Sequence, residues 1–161
     1  MREAPFTEAD VNDLIAAPKY FSSKREDNRG QPNVKEIRVT YEVRKLGEEA
    51  TNLRLQFFAR LEKRPNSAVV QGLPGVSLLW YNRRIRCLAW KLRRDVVMNG
   101  VVVGFVKGWY EHVWTDADQD RHVVDVNAEV TATDFDSIMR LCCKRWNIKT
   151  PIEQLTLGVE P

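Results

Sequence analysis

His112 and His122 are the two histidines of the sequence, and they bracket an acidic stretch, HVWTDADQDRH, that also carries Arg121. Imidazole changes charge near neutral pH, so two rings within reach of one ligand suit general acid and base work on a phosphodiester. A hairpin centred on Asp118 would set His122 opposite Trp114 and Val124 opposite His112. The rings would then be diagonal neighbours on one face with Tyr110 and Val126. With Arg121 holding the transition-state charge, the set describes a small, metal-independent, toxin-like ribonuclease. The plainer reading is two polar rings completing a half-buried sheet face. No cysteine or carboxylate stands at zinc-ligand spacing from them. Asp116, Asp118 and Asp120 open like a calcium loop, but Arg121 stands where glycine is required and Asn127 where the closing glutamate belongs. Phosphate loops, serine elbows and paired-cysteine motifs are missing, and no cofactor or metal is expected.

The second chemistry is charge with aromatic rings. The run from Trp80 to Arg94, WYNRRIRCLAWKLRR, reads as a hairpin turning at Asn82-Arg83. Trp80 would face Ile85, Leu78 would face Cys87 and Val76 would face Ala89. That register puts Tyr81, Arg84, Arg86, Trp90, Lys91 and Arg93 on the other face, with Arg94 beside them. Cations with interleaved aromatic rings fit RNA or DNA, or the acidic surface of a protein partner. Arg38, Arg44, Arg54 and Arg60, on the polar faces of the preceding strands, would extend the set into one basic stripe. The non-functional alternative is a solvated face whose arginines cover apolar edges with their stems. A third reading is a structural subunit whose exposed strand edge pairs with another chain.

The elements that must position these residues fit a single domain spanning all 161 residues. The N-terminal MREAPFTEAD carries acids where a secretory signal would be apolar, and no apolar run approaches the roughly 20 residues of a membrane helix. A cytoplasmic protein with no membrane contact is expected, of undetermined oligomeric state. The three cysteines are odd in number, and Cys142 and Cys143 are adjacent, which favours buried reduced thiols. Charge is segregated: residues 34–94 carry fourteen Lys and Arg against five acids, and residues 95–136 carry two against nine. Such asymmetry marks matched internal surfaces or faces offered to different partners.

Thr7 and Asp10 form a capping box, Phe6 and Val11 a hydrophobic staple, and Pro18 ends the helix they begin. Residues 22–33 read as a polar loop. Period-two alternation then predicts strands through Ile37–Val43 and Leu53–Leu61, joined by a turn at Gly47–Asn52. Asn99-Gly100 between valine-rich runs is a strong hairpin signal. Thr133 and Asp136 predict a second capping box, opening a helix that Asn147 ends before Pro151. The expected fold is α+β: an antiparallel, strongly bent sheet or partly open barrel of seven to eight strands, packed by an N-terminal and a C-terminal helix.

The segments TEADVNDLIAAPK, HVWTDADQDRH and FDSIMRLCCKRWNI together resemble a family of small prokaryotic proteins known only as a domain of unknown function. This chain departs from that family's more compact His-x-His arrangement, since its histidines stand ten apart. The resemblance implies a regulator, inhibitor or subunit of a defence-associated or mobile-element system. Together with the charge pattern, it makes a non-enzymatic binding module engaging an acidic protein or nucleic acid the leading expectation, with the ribonuclease as the alternative.

Overall fold

The computed structural model describes residues 4–48, 52–63, 65, 66 and 68–149. The first helix, α1, spans Glu8–Ala16. Its start is the expected capping box: Asp10 N donates to Thr7 Oγ1 at 3.2 Å and Thr7 N donates to Asp10 Oδ2 at 2.8 Å. Phe6 stacks on Trp80 with centroids 4.6 Å apart and meets Trp114 edge-on at 5.0 Å. At the other end of α1, Lys19 Nζ donates to the carbonyls of Leu14, Ile15 and Ala17 at 2.5, 3.0 and 2.6 Å. These carbonyls have no helical partner, so the buried ammonium closes the helix.

Among the described residues nine strands follow: β1 Lys19–Asp27, β2 Glu36–Lys45, β3 Leu53–Lys63, β4 Val69–Gln71, β5 Gly75–Trp80, β6 Arg83–Met98, β7 Val101–Val113, β8 Val123–Asp125 and β9 Ile148–Lys149. The second helix, α2, spans Phe135–Arg145. The strands form one sheet in the order β8-β7-β6-β5-β3-β2-β1-β9, with β4 added on β3. Every pairing is antiparallel except β1 with β9. One face carries Val39, Val43, Leu53, Leu55, Phe57, Val76, Leu78 and Leu88, all buried against Val11 and Leu14 of α1 and Ile138, Met139, Cys142 and Cys143 of α2. Each fully buried aliphatic side chain there contributes about 1.5–3 kcal/mol of transfer free energy. All three cysteines are buried free thiols. Buried Glu111 of β7 ties α2 to the sheet, accepting from Trp146 Nε1 at 2.6 Å and Arg145 Nη2 at 2.8 Å.

The α+β class, the mostly antiparallel sheet and the two helices match the sequence reading, whereas the described residues form nine strands rather than seven to eight, and the sheet neither closes into a barrel nor curls strongly. The sheet is open, ending in β8 on one side and β9 on the other. Residues 22–27 are strand rather than loop, because β2 supplies a ladder that accommodates two bulges in β1. The cap of α2 is Asp134, whose carboxylate accepts Ser137 N at 3.0 Å, rather than Thr133. Residues 49–51 of the Gly47–Asn52 turn, and Pro151, lie outside the described residues.

The β5–β6 hairpin differs from the expected register. Its turn is Tyr81-Asn82, both at positive φ (49° and 61°), the pattern of a two-residue turn matched to strand twist. Trp80 therefore faces Arg83 and Leu79 faces Arg84, and a bulge at Ile85 then brings Arg86 opposite Leu78. Ile85 and Arg86 both turn toward the helices as a result.

The β6–β7 hairpin is the longest feature of the chain. A straight ribbon from the Arg86↔Val113 pair would carry Asn99 about 40 Å away. Instead Asn99 N and Gly100 N each donate to the Asp118 carboxylate at 2.7 Å, only five residues past Val113. The ribbon therefore folds back toward the loop, and its register is irregular between Lys91 and Arg94 and again between Val96 and Val97. Val106, Tyr110 and Val123 form a second small core beneath it, with Ala89 and Val96.

Candidate functional site

The expected basic stripe is divided among three environments. Arg86, expected on the exposed face, is 7% exposed. It donates from Nη1 to Ile85 O at 2.9 Å and from Nη2 to Asn12 Oδ1 of α1 at 3.5 Å. Burial pulls its guanidinium below the usual range, with Glu111 acting in the opposite direction. The cause of the misplacement is the bulge at Ile85, which reverses the alternation on which the exposed placement depended. Arg84 is half-buried and pairs with Asp120 Oδ2 at 2.9 Å, so one of the loop aspartates neutralises it in place.

Tyr81 is exposed at the tip of the β5–β6 turn. It lines a groove of about 440 Å³ with Arg25, Glu42, Asn52, Arg54 and Asn82. Arg25 is paired with Glu42 at 2.6 Å, and Arg54 donates to Asn82 Oδ1. These cations are already matched to acceptors from their own fold.

Trp90, Lys91, Arg93 and Arg94 belong together on the outer half of the β6–β7 hairpin. Trp90 faces Trp109 across the ladder and is partly exposed. Arg93 lies over the Phe105 ring at 4.2 Å, with its Nε 3.6 Å from Asp95 Oδ1, and Lys107 Nζ is 5.8 Å from the same ring. Arg94 is half-buried above Tyr110 at 5.8 Å. Around these cations Leu92 is 78% exposed, Val101 62%, Val102 and Val103 57% and Phe105 48%. The sequence reading ended its candidate surface at Arg94 and missed these valines and Phe105. The signal for them was present: the run Val101-Val102-Val103-Gly104-Phe105-Val106 lacks the polar alternation that one buried face requires.

The histidines are not brought together. His112 faces Val123, one residue away from the expected Val124, and Cys87 on its other side. Val113 N donates to His122 O, so alternation sends His122 to the opposite side of the ladder from His112. His122 Nδ1 is 3.3 Å from Val97 O of the folded-back ribbon. The His112 ring is 2% exposed, edge-on to Tyr110 at 5.2 Å, and its Nδ1 has no hydrogen-bond partner. Burial, followed by the charges of Arg84 and Arg94, lowers its pKa to about 4. Arg121 is exposed, and its amide donates to Asp118 O at 3.1 Å.

The three loop aspartates each serve the fold: Asp116 accepts Glu8 N at 2.7 Å, Asp118 holds the hairpin tip and Asp120 pairs with Arg84. Among the described residues no helix is long and apolar enough to cross a membrane. Comparison of the chain with protein-family models, with curated proteins and with solved structures finds no match.

Proposed function

We propose that this chain is a non-enzymatic binding module, a regulator or subunit, that presents the outer half of the β6–β7 hairpin to an acidic protein partner. The observation that carries this reading is the arm itself. Leu92, Val101, Val102, Val103 and Phe105 stay exposed among Lys91, Arg93 and Lys107, on a ribbon whose tip is pinned by Asp118. Large apolar side chains left exposed on a ribbon among cations mark an interaction surface. Charge brings the partner in, and the apolar side chains with Trp90 supply the contact that holds it.

A protein fits this arm better than a nucleic acid does. Stacked bases need open aromatic faces, whereas Phe105 has Arg93 over its ring and Tyr110 is buried with Arg94 above it, which leaves partly exposed Trp90 on the arm. Two cations assigned to phosphates, Arg84 and Arg86, are withdrawn into an ion pair and into the core. The surface that remains is valine and leucine, which complements apolar side chains. The ribonuclease reading needs His112 and His122 on one ligand, and the ladder separates them.

The test is fluorescence anisotropy with labelled poly-L-glutamate and, separately, a single-stranded RNA oligonucleotide of equal charge. Poly-L-glutamate is expected to bind at low salt, to weaken as salt screens the arm, and to lose about tenfold in affinity or more in the Lys91→Glu/Arg93→Glu variant. Preferential RNA binding lost in the same variant would transfer the arm to nucleic acid. Absence of binding to either polymer at low salt rejects the reading.

A further inference from the structure

β7 is paired with β6 from Val101 to Val113, but with β8 only at Tyr110, Glu111 and His112. Just before those residues the edge is closed by Asn127, which accepts Trp109 N at 2.8 Å and donates to Lys107 O at 2.8 Å. From Val101 to Val106, no strand or side chain among the described residues takes up the outward main-chain groups. Val101 faces Met98 across the two-residue Asn99-Gly100 turn. The residue after such a closing pair, Val102, turns its N–H away from the partner strand. The six residues span about 20 Å, with Val103 standing as an extra residue between the Val97↔Val102 and Val96↔Gly104 pairs.

Most folds blunt such an edge, because a flat valine-rich strand with free amides is a template for another chain. Here the side chains are exposed from Val101 to Phe105, the bulge at Val103 is the one irregularity of that stretch, and the ribbon is held in place from its own tip.

Charge selects the occupant. Residues 90–107 carry four cations, Lys91, Arg93, Arg94 and Lys107, against the single acid Asp95. A second copy pairing edge to edge would set this excess of positive charge against itself. An acidic strand meets the reverse situation: carboxylates reach Arg93 and Lys107, which lie against Phe105, while its apolar side chains meet the exposed valines. Of the fold's own nearby acids, Asp118 holds the tip amides and Asp120 pairs with Arg84, while Asp95 lies 3.6 Å from Arg93 in an exposed pair that a partner carboxylate can join.

We infer that Val101–Val106 of β7 is a strand-addition site for an extended acidic segment of a partner protein, with main-chain hydrogen bonds giving affinity and Arg93 and Lys107 selecting carboxylates. The inference rests on the binding reading above and adds its mode.

Three labelled synthetic peptides of about ten residues test it by anisotropy: alternating Val-Glu, the same sequence with every second amide N-methylated, and alternating Val-Lys. N-methylation removes ladder donors without changing charge. The unmodified Val-Glu peptide is expected to bind, the methylated form to bind about tenfold more weakly or worse, and Val-Lys not to bind. Val102→Pro is expected to weaken the unmodified peptide to the level of the methylated one. If that substitution disturbs the arm, seen as a lowered Tm, the peptide comparison on the unaltered chain still decides.

Equal binding of both Val-Glu peptides overturns strand addition while leaving the acidic-partner reading intact. Binding of poly-L-glutamate without either peptide has the same meaning. Failure of the polymer and of both peptides removes the two proposals together. A concentration-dependent dimer in sedimentation that Val102→Pro dissolves shows that the edge takes a second copy and overturns the choice of occupant.

Discussion

Asp118 accepts the main-chain amide of Gly100 at 2.7 Å, and its second carboxylate oxygen takes the preceding Asn99 amide at the same distance. One buried side chain thereby fixes the tip of a sixteen-residue strand and its thirteen-residue partner. Hydrogen bonds to an ionised acceptor are stronger than neutral ones, and both donors would otherwise turn to water. Asp118→Ala is expected to destabilise the folded-back arm by about 2–3 kcal/mol. Amide exchange at Asn99 and Gly100 should accelerate by about tenfold or more, while Leu55 and Phe57 of β3 keep their protection. Unchanged exchange at the tip would show that the arm is held by other contacts.

The buried ring of His112 makes stability depend on pH. Its folded pKa of about 4 lies below the ordinary 6.5 because burial, Arg84 and Arg94 oppose the imidazolium. Between these values the unfolded chain binds a proton that the native state refuses, so this residue's contribution is intact above pH 6.5 and lost as pH falls toward 4. Urea unfolding at pH 7 and pH 5 should show a loss of about 2 kcal/mol from this group. In His112→Phe that component should vanish. If the variant loses as much stability as the unaltered chain over the same interval, His112 is not its source.

What the sequence revealed is what short-range chemistry fixes. The Thr7–Asp10 box, the alternation of Leu53, Leu55 and Phe57, and the Asn99-Gly100 turn each need only neighbouring residues. Residues 22–27 of β1 read as loop because Lys24, Arg25, Glu26 and Asp27 give no apolar period, and their order comes from β2 through ladder bonds and the Arg25–Glu42 pair. The site residues went astray on single-residue slips. Moving the turn from Asn82-Arg83 to Tyr81-Asn82 and adding a bulge at Ile85 buries Arg86, and facing His112 with Val123 rather than Val124 separates the histidines. The fold-back of the arm depends on Asp118, 18 and 19 residues from its donors, and no local pattern encodes it.

Gly75 sits beneath an aromatic ring of the neighbouring strand. Phe58 faces it across the β3–β5 ladder, and a methyl group at Gly75 would stand 2.3 Å from Phe58 Cζ. The glycine is needed for that space. Gly75→Ala is expected to cost about 1–2 kcal/mol, since the ring must swing off its site. Adding Phe58→Leu should recover most of the loss, because the shorter side chain leaves room for the methyl group. Thermal unfolding of the two single variants and the double variant measures the coupling, and strictly additive effects would show that the ring and the glycine do not interact.

Lys19 is the least expected buried charge in the fold. Its ammonium donates to three carbonyls at the end of α1, yet burial, followed by Lys45 and Arg86, pulls its pKa from 10.5 to about 7. The unfolded chain therefore holds this proton more tightly than the native state between pH 7 and 10.5, and the contribution of Lys19 rises with pH across that window. Replacing it with methionine keeps the apolar stem but leaves the carbonyls of Leu14, Ile15 and Ala17 without their donor. The loss from those orphaned acceptors outweighs the relief of removing a buried charge, so Lys19→Met is expected to destabilise the chain by about 2–4 kcal/mol at pH 7. The variant should also show a flatter stability profile from pH 7 to 10, measured by urea unfolding. Equal or greater stability of the variant at pH 7 would mean that burying the ammonium costs more than its three hydrogen bonds return.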